Sequence, residues 1–111
     1  MSVERKPQPT EFYWELAEGY LARDHVDEGK LMGFPCLRVN GDFFSTCDHR
    51  TGELIVKLPR NRVSELIADG TGQPFAPNGK VFKEWLLVPH RDEARLTALM
   101  DEALAFVGGG E

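Results

Sequence analysis

The stretch that decides the fold is ELIVKLP, residues 53–59. Its interior is apolar at odd and even positions alike, which predicts a β-strand that is covered on both faces. Lys57 is the one charge set inside this apolar run. Pro59 has no amide hydrogen to donate to a sheet ladder, so the strand should end there and a helix should follow. We therefore expect a central strand on which the rest of the chain packs, and Val56→Ala should cost about 1–3 kcal/mol of stability.

The length and composition indicate one ordinary globular domain. The chain has 111 residues and a mass of 12.5 kDa, with 41% hydrophobic and 28% charged residues, which is enough for a single core. The net charge of -5 argues against a dedicated nucleic-acid binder, which needs clustered Lys and Arg. However, residues 50–91 carry seven bases against four acids, hence +3, so one face could be basic on an acidic protein.

The start of the chain, its apolar runs and its cysteines indicate the cellular compartment. The first residues lack the apolar core of a secretory signal, and no run approaches membrane-spanning length. The cytoplasm is therefore the expected location, and Cys36 and Cys47 are expected to be thiols rather than a disulfide. The sequence predicts a flexible lead-in at residues 1–9, a single domain at residues 10–107 and a glycine-rich tail at residues 108–111.

The first half of the chain predicts a helix and a meander of three strands. Thr10 is a plausible N-cap for a helix with an apolar stripe at helical spacing. Residues 30–39 predict a strand, and residues 42–47 predict its return strand. Between them, Asn40 and Gly41 suit a type I′ hairpin turn, because both residues tolerate positive φ.

The second half predicts two more helices and one more strand. Residues 60–69 fit a short helix that ends at Gly70, and residues 71–80 predict a long ordered loop. Residues 81–89 predict a fourth strand, and Asp92 is placed to cap a last helix. The predicted order is α-β-β-β-α-β-α. It indicates a two-layer α+β fold, with an antiparallel sheet of four to five strands and helices on one side.

Six segments give the chain a family resemblance over roughly residues 11–107. They are KLMGFP (30–35), VNGDFF (39–44), LIVKL (54–58), ELI (65–67), GTGQPF (70–75) and KEWLLVP (83–89). In these segments the chain resembles the TfoX N-terminal domain family and the related MmcQ/YjbR group.

The resemblance implies a two-layer α+β domain, in a superfold shared with small secretion chaperones. In TfoX proteins this domain precedes a helical C-terminal domain, and the whole acts in competence regulation. Because the chain ends after its last predicted helix, we expect no second domain here, and the regulatory role is not carried over. Relatives in the MmcQ/YjbR group are often labelled DNA-binding.

Two cysteines and a histidine invite a metal-site interpretation. A two-residue turn at 40–41 places position 36 opposite position 45, so Cys36 and Cys47 would share one sheet face as diagonal neighbours. At that separation the two cysteines could both ligate one metal ion, with His49 nearby. Yet the chain has no CxxC pair and no fourth donor at metal spacing. We therefore expect structural thiols, with neither a metal nor a cofactor.

Two lysines in apolar strands are candidates for catalysis. A buried lysine with a lowered pKa can act as a base or a nucleophile, which would apply to Lys57 or Lys83. The alternative is a lysine whose stem packs while its amine reaches a carboxylate or water. No Ser-His-Asp or Cys-His-Asn set accompanies them, so the sequence favours the second interpretation.

Further basic residues could form a rim around the loop at 72–79. With two aromatic side chains nearby, such a rim could receive a phosphate, a carboxylate or an unstacked base, although solvated surface charge is the usual role of such residues. The candidate residues for binding a ligand or partner are Lys57, Arg60, Arg62, Phe75, Lys80, Lys83, Trp85 and Arg91.

The sequence thus favours a non-enzymatic binding or interaction module of the TfoX N-terminal type. A homodimer or another protein partner is expected, because four strands and short helices need not cover all of the apolar sheet. No membrane partner is expected. The first alternative is weak nucleic-acid binding through the basic second half, and the second is an enzyme that uses Lys57 or Lys83.

Overall fold

The computed structural model of the chain describes residues 10–31 and 33–109. The predicted lead-in at 1–9 and the last two residues of the predicted tail lie outside the described residues. The described part contains helices α1 (Glu11–Leu21), α2 (Arg60–Ala68) and α3 (Glu93–Val107) and strands β1 (Val26–Leu31), β2 (Phe34–Val39), β3 (Asp42–Cys47), β4 (Leu54–Lys57), β5 (Gln73–Phe75) and β6 (Phe82–Val88). No helix among these is long and apolar enough to cross a membrane.

The six strands form one antiparallel sheet in the order β1-β2-β3-β4-β6-β5. Strand β4 lies in its middle, where Val56 pairs with Ser45 on one side and with Leu86 on the other. All three helices contribute side chains to a single core on one face of this sheet. The α+β class, the antiparallel sheet and the central position of the 53–59 stretch are therefore confirmed.

The predicted strand count was too low, because two edge strands escaped prediction. The segment predicted as one strand at 30–39 belongs to two strands, β1 and β2, which pair as a hairpin. The segment predicted as a loop at 71–80 contains β5, which pairs with β6. The order is therefore α-β-β-β-β-α-β-β-α, with six strands rather than four to five.

The turn between β2 and β3 is the predicted one. Asn40 and Gly41 have φ angles of 52° and 87°, as a type I′ turn requires, and Val39 pairs with Asp42 across it. Because Gly41 lacks a Cβ, it adopts this left-handed conformation without steric cost.

A β-bulge beyond that turn corrects the predicted register of the cysteines. After Arg38 pairs with Phe43, the next pair is Leu37 with Ser45, so β3 contains one extra residue. Position 45 is therefore opposite 37 rather than 36. Cys47 belongs to the core beneath the helices, whereas Cys36 is buried outside that core. The expectation that the two cysteines share one sheet face was wrong.

The predicted helix boundaries agree with the structure to within a few residues. The Asp92 side chain accepts a hydrogen bond from the backbone amide of Arg95 at 3.3 Å, which caps α3. Gly70 follows α2 with a φ of 85°. Near the end of α3, Phe106 is 38% exposed.

Candidate binding groove on the open face of the sheet

The face of the sheet opposite the helices is called the open face below. Side chains alternate along β4, so Leu54 and Val56 join the core beneath the helices while Ile55 and Lys57 lie on the open face. Cross-strand pairing places Thr46 beside Ile55 and Trp85 beside Lys57. Two neighbouring strands thus surround the open-face residues of β4.

These residues line a groove of about 900 Å³, called the open-face groove, which also touches Phe106 and Val107 at the end of α3. Two aromatic pairs line it on opposite sides of β4. The Phe34 and His49 rings are stacked, with centroids 4.2 Å apart and an interplanar angle of 13°. The Phe75 and Phe82 rings lie 5.8 Å apart. The groove is therefore mainly apolar and aromatic.

The floor of the groove is buried although the helices pack on the other face. Ile55 is 4% exposed and Cys36 is 2% exposed, so neighbouring side chains leave little of either residue accessible. The Thr46 hydroxyl donates a hydrogen bond to the Pro35 carbonyl at 2.9 Å. By contrast, Phe34 is 43% exposed, so the rim presents apolar surface to solvent.

Lys57 places a positive charge in this apolar setting. The residue is half-buried, and its ammonium nitrogen lies 6.0 Å from the centroid of the Trp85 ring. No carboxylate of the described residues lies within 4.0 Å of that nitrogen. The sequence interpretation allowed a carboxylate or water as the partner of this amine, and the described residues place no carboxylate there.

Three acidic residues also line the groove, namely Asp42, Asp48 and Glu84. The Asp48 carboxylate accepts a hydrogen bond from the backbone amide of Arg50 at 2.8 Å, and the Arg50 side chain lies 4.0 Å from it. The charge of Asp48 is thus partly balanced within the turn that follows β3.

Of the eight candidate residues, three meet at the groove: Lys57, Phe75 and Trp85. Arg60, Lys80 and Lys83 are exposed and do not line it. These three bases therefore take no part in the groove, and the basic rim expected around the loop at 72–79 stays a prediction.

Two other candidate arginines are engaged elsewhere in the protein. Arg62 on α2 donates two hydrogen bonds to Glu102 on α3, at 2.8 and 3.0 Å, and this partner raises the pKa of the guanidinium. Arg91 donates to the Thr51 carbonyl at 2.7 Å and lies over the Phe12 ring. Both arginines hold parts of the fold together.

Sequence reasoning identified Phe75 but missed Phe34, Phe82 and Ile55 as groove residues. The alternation of Leu54, Ile55, Val56 and Lys57 contained the signal, because helices on one side of a sheet leave alternate strand residues on the other. Phe34 and Phe82 carried no comparable signal, since each stands at the first position of its strand.

The cysteines form no disulfide, and both lie in the described part of the chain. Burial, with a smaller contribution from Asp48, raises the pKa of the Cys47 thiol to about 12, so this residue is a poor thiolate donor at neutral pH. Among the described residues, no three His, Cys, Asp or Glu side chains are grouped so that they could hold a metal ion.

Comparisons of the chain with protein-family models, with curated proteins and with solved structures give no significant match. The resemblance to the TfoX N-terminal family therefore stays a prediction. A function for this chain rests on the chemistry of the open-face groove.

Proposed function

We propose that this protein is a non-enzymatic cytoplasmic binding module of the TfoX N-terminal type, and that a small apolar molecule binds in its open-face groove. The supporting observation is a concave, aromatic-lined volume of about 900 Å³ whose lining includes the open-face residues of β4 and reaches the end of α3. Small-molecule sites in proteins have volumes of roughly 300–1,000 Å³ and are mostly apolar with a few polar groups. The groove has both properties.

Its concave shape favours a small molecule over a second copy of the chain. Two copies related by a two-fold axis would bring the same concave surface together from both sides, and neither floor would be filled. A small molecule can contact the half-buried Trp85 on the floor and the exposed rings of Phe34 and Phe82 at the rim. The homodimer expected from the sequence is the competing occupant of the groove, and the experiment below distinguishes the two.

A neutral fluorescent probe, N-phenyl-1-naphthylamine, tests this proposal. We expect saturable binding with one site per chain and a large rise in probe fluorescence. Phe82→Asp should weaken binding at least tenfold, because Phe82 is a groove wall that is 42% exposed and thus replaceable without loss of the core. Val81→Asp is the matched control, since Val81 is 50% exposed next to it and does not line the groove.

Absence of saturable binding, or an equal loss in both variants, would contradict the proposal. Light scattering on the same samples identifies the competing occupant. A dimer that dissociates as the probe binds would show that a second copy occupies the groove instead.

The nucleic-acid alternative has less support. Two of its candidate arginines, Arg62 and Arg91, are engaged within the protein, and an apolar groove lined by three acids does not suit a phosphate backbone. Lys83 remains exposed on β6, so Lys83→Glu is the variant that tests this alternative without disturbing a helix contact. Binding to DNA or RNA at low salt that falls in this variant would support it.

A further inference from the structure

We infer that the ligand of the open-face groove is an apolar, ring-containing molecule with a single negative charge, and that Lys57 holds this charge. The inference deepens the proposed function and rests on it. It names the chemical class of the ligand rather than the location of the site.

The first argument is the state of the Lys57 ammonium. It is half-buried among apolar side chains, and no carboxylate of the described residues reaches it within 4.0 Å. A charge that is partly removed from water needs a compensating partner. The Trp85 ring at 6.0 Å supplies only a weak one. An anionic ligand group would form a charge-assisted hydrogen bond, which is stronger.

The second argument is the shape and chemistry around that ammonium. Ile55 and Trp85 lie on the floor beside Lys57, and one aromatic pair lines each side. Such surfaces bind flat apolar rings by stacking and by burial of apolar area. The ring of the ligand and its charge are thus recognised by different parts of one groove.

The third argument limits the number of negative charges. Asp42 and Glu84 also line the groove, and neither has a cationic partner among the described residues. Their charge repels a second anionic group on a ligand. A monoanion pairs with Lys57 and brings no second charge near these acids, whereas a polyphosphate or a nucleic-acid strand brings several.

Calorimetric titration with two ligands of nearly the same shape tests the inference. The ligands are 2-naphthoate, which is anionic, and 2-naphthamide, which is neutral. We expect the unmodified protein to bind 2-naphthoate about tenfold more tightly, as expected for one partly buried charge pair. Lys57→Gln should remove this preference, and Lys57→Arg should retain most of it.

Lys83→Gln is the matched control, because Lys83 is an exposed lysine on β6 that does not line the groove. This variant should keep the full preference for 2-naphthoate. A loss of preference in Lys83→Gln equal to that in Lys57→Gln would assign the effect to the overall charge of the protein and overturn the inference.

One measurement needs no variant and so does not depend on the folding of Lys57→Gln. Naphthalene-2,6-dicarboxylate carries a second charge on the same ring system and should bind more weakly than 2-naphthoate. Tighter or equal binding of the dianion would overturn the single-charge inference. Equal binding of 2-naphthoate and 2-naphthamide would overturn the role of Lys57 but leave the proposed function standing, whereas failure of every ligand to bind would overturn the proposed function itself.

Discussion

The hydroxyl groups of Tyr13 on α1 and Ser45 on β3 lie 3.0 Å apart and form a hydrogen bond inside the core. Tyr13 is 1% exposed and Ser45 is fully buried. The contact joins the first helix to a strand near the middle of the sheet, and it satisfies both hydroxyls where water does not reach. It therefore specifies where α1 sits on the sheet.

Removal of either hydroxyl should destabilise the protein by leaving the other without a partner. We expect Tyr13→Phe and Ser45→Ala each to cost about 1–2 kcal/mol. The double variant should cost less than the sum, with a coupling of about 1 kcal/mol, because no orphaned hydroxyl remains. Urea unfolding of the four proteins measures these values. Strict additivity would show that the two hydroxyls do not depend on each other.

Val56→Ala tests the central strand. Val56 is fully buried between its two neighbouring strands, so the shorter side chain loses burial and leaves a small cavity. We expect a loss of about 1–3 kcal/mol in the free energy of unfolding. Val81→Ala is the control, since Val81 is 50% exposed and should change stability by less than about 0.5 kcal/mol. Similar effects at both positions would contradict the placement of the core.

Two glycines should respond to alanine in opposite directions. Gly19 lies inside α1, and a Cβ added there would meet no atom within 4 Å. Gly19→Ala should therefore stabilise the protein by about 0.5–1 kcal/mol. A Cβ at Gly72 would lie only 2.5 Å from the Leu86 side chain, which is fully buried, so Gly72→Ala should destabilise by about 1–3 kcal/mol. Thermal unfolding distinguishes the two, and a shared sign would contradict this account.

The elements that sequence reasoning found are those whose local signal agrees with their place in the fold. The 53–59 stretch is apolar at successive positions because Leu54 and Val56 of β4 join the core beneath the helices while Ile55 is buried on the opposite face. The Asn40-Gly41 turn and the Asp92 cap are local devices that need no tertiary information. These features could be predicted, and they suffice to identify an antiparallel sheet with helices.

The elements that were missed lie at the two edges of the sheet. Strand β1 has four non-apolar residues between Val26 and Leu31, because an edge strand needs little apolar burial. Strand β5 contains Pro74, which an edge position tolerates since it pairs on one side only. The bulge beside Leu37 depends on how β2 and β3 pack, so it leaves no pattern in either strand alone.

The candidate site was predictable only where it lies on strands. Lys57 and Trp85 meet because strand pairing fixes their neighbours. Arginine side chains are long and flexible, so their partners depend on whichever acid or carbonyl lies within reach. Arg62 reaches Glu102, which is 40 residues away in the sequence. No spacing rule indicates that contact.

The Cys47 thiol should make stability depend on pH in the alkaline range. Burial raises its pKa in the folded protein from the ordinary value of 9.0 to about 12. Between these values the unfolded chain loses the proton while the folded chain keeps it, so the unfolded state is favoured as pH rises. The stabilisation is fully present below pH 9 and is lost progressively toward pH 12. We expect the free energy of unfolding to fall by about 1 kcal/mol per pH unit just above pH 9.

The variant Cys47→Ala separates the contribution of the Cys47 thiol to the pH dependence of stability from the contributions of other titrating groups. The variant lowers stability at every pH, and between pH 8 and 9.5 its stability should fall less steeply than that of the unmodified protein. Tyr13 and Tyr20 also have raised pKa values, chiefly through burial, and their contribution begins near their ordinary value of 10.0. Urea unfolding of both proteins under reducing conditions at pH 8, 8.5, 9 and 9.5 therefore measures the contribution of Cys47 below the range in which the tyrosines titrate. An unchanged slope in Cys47→Ala would show that this thiol is not protected by the fold.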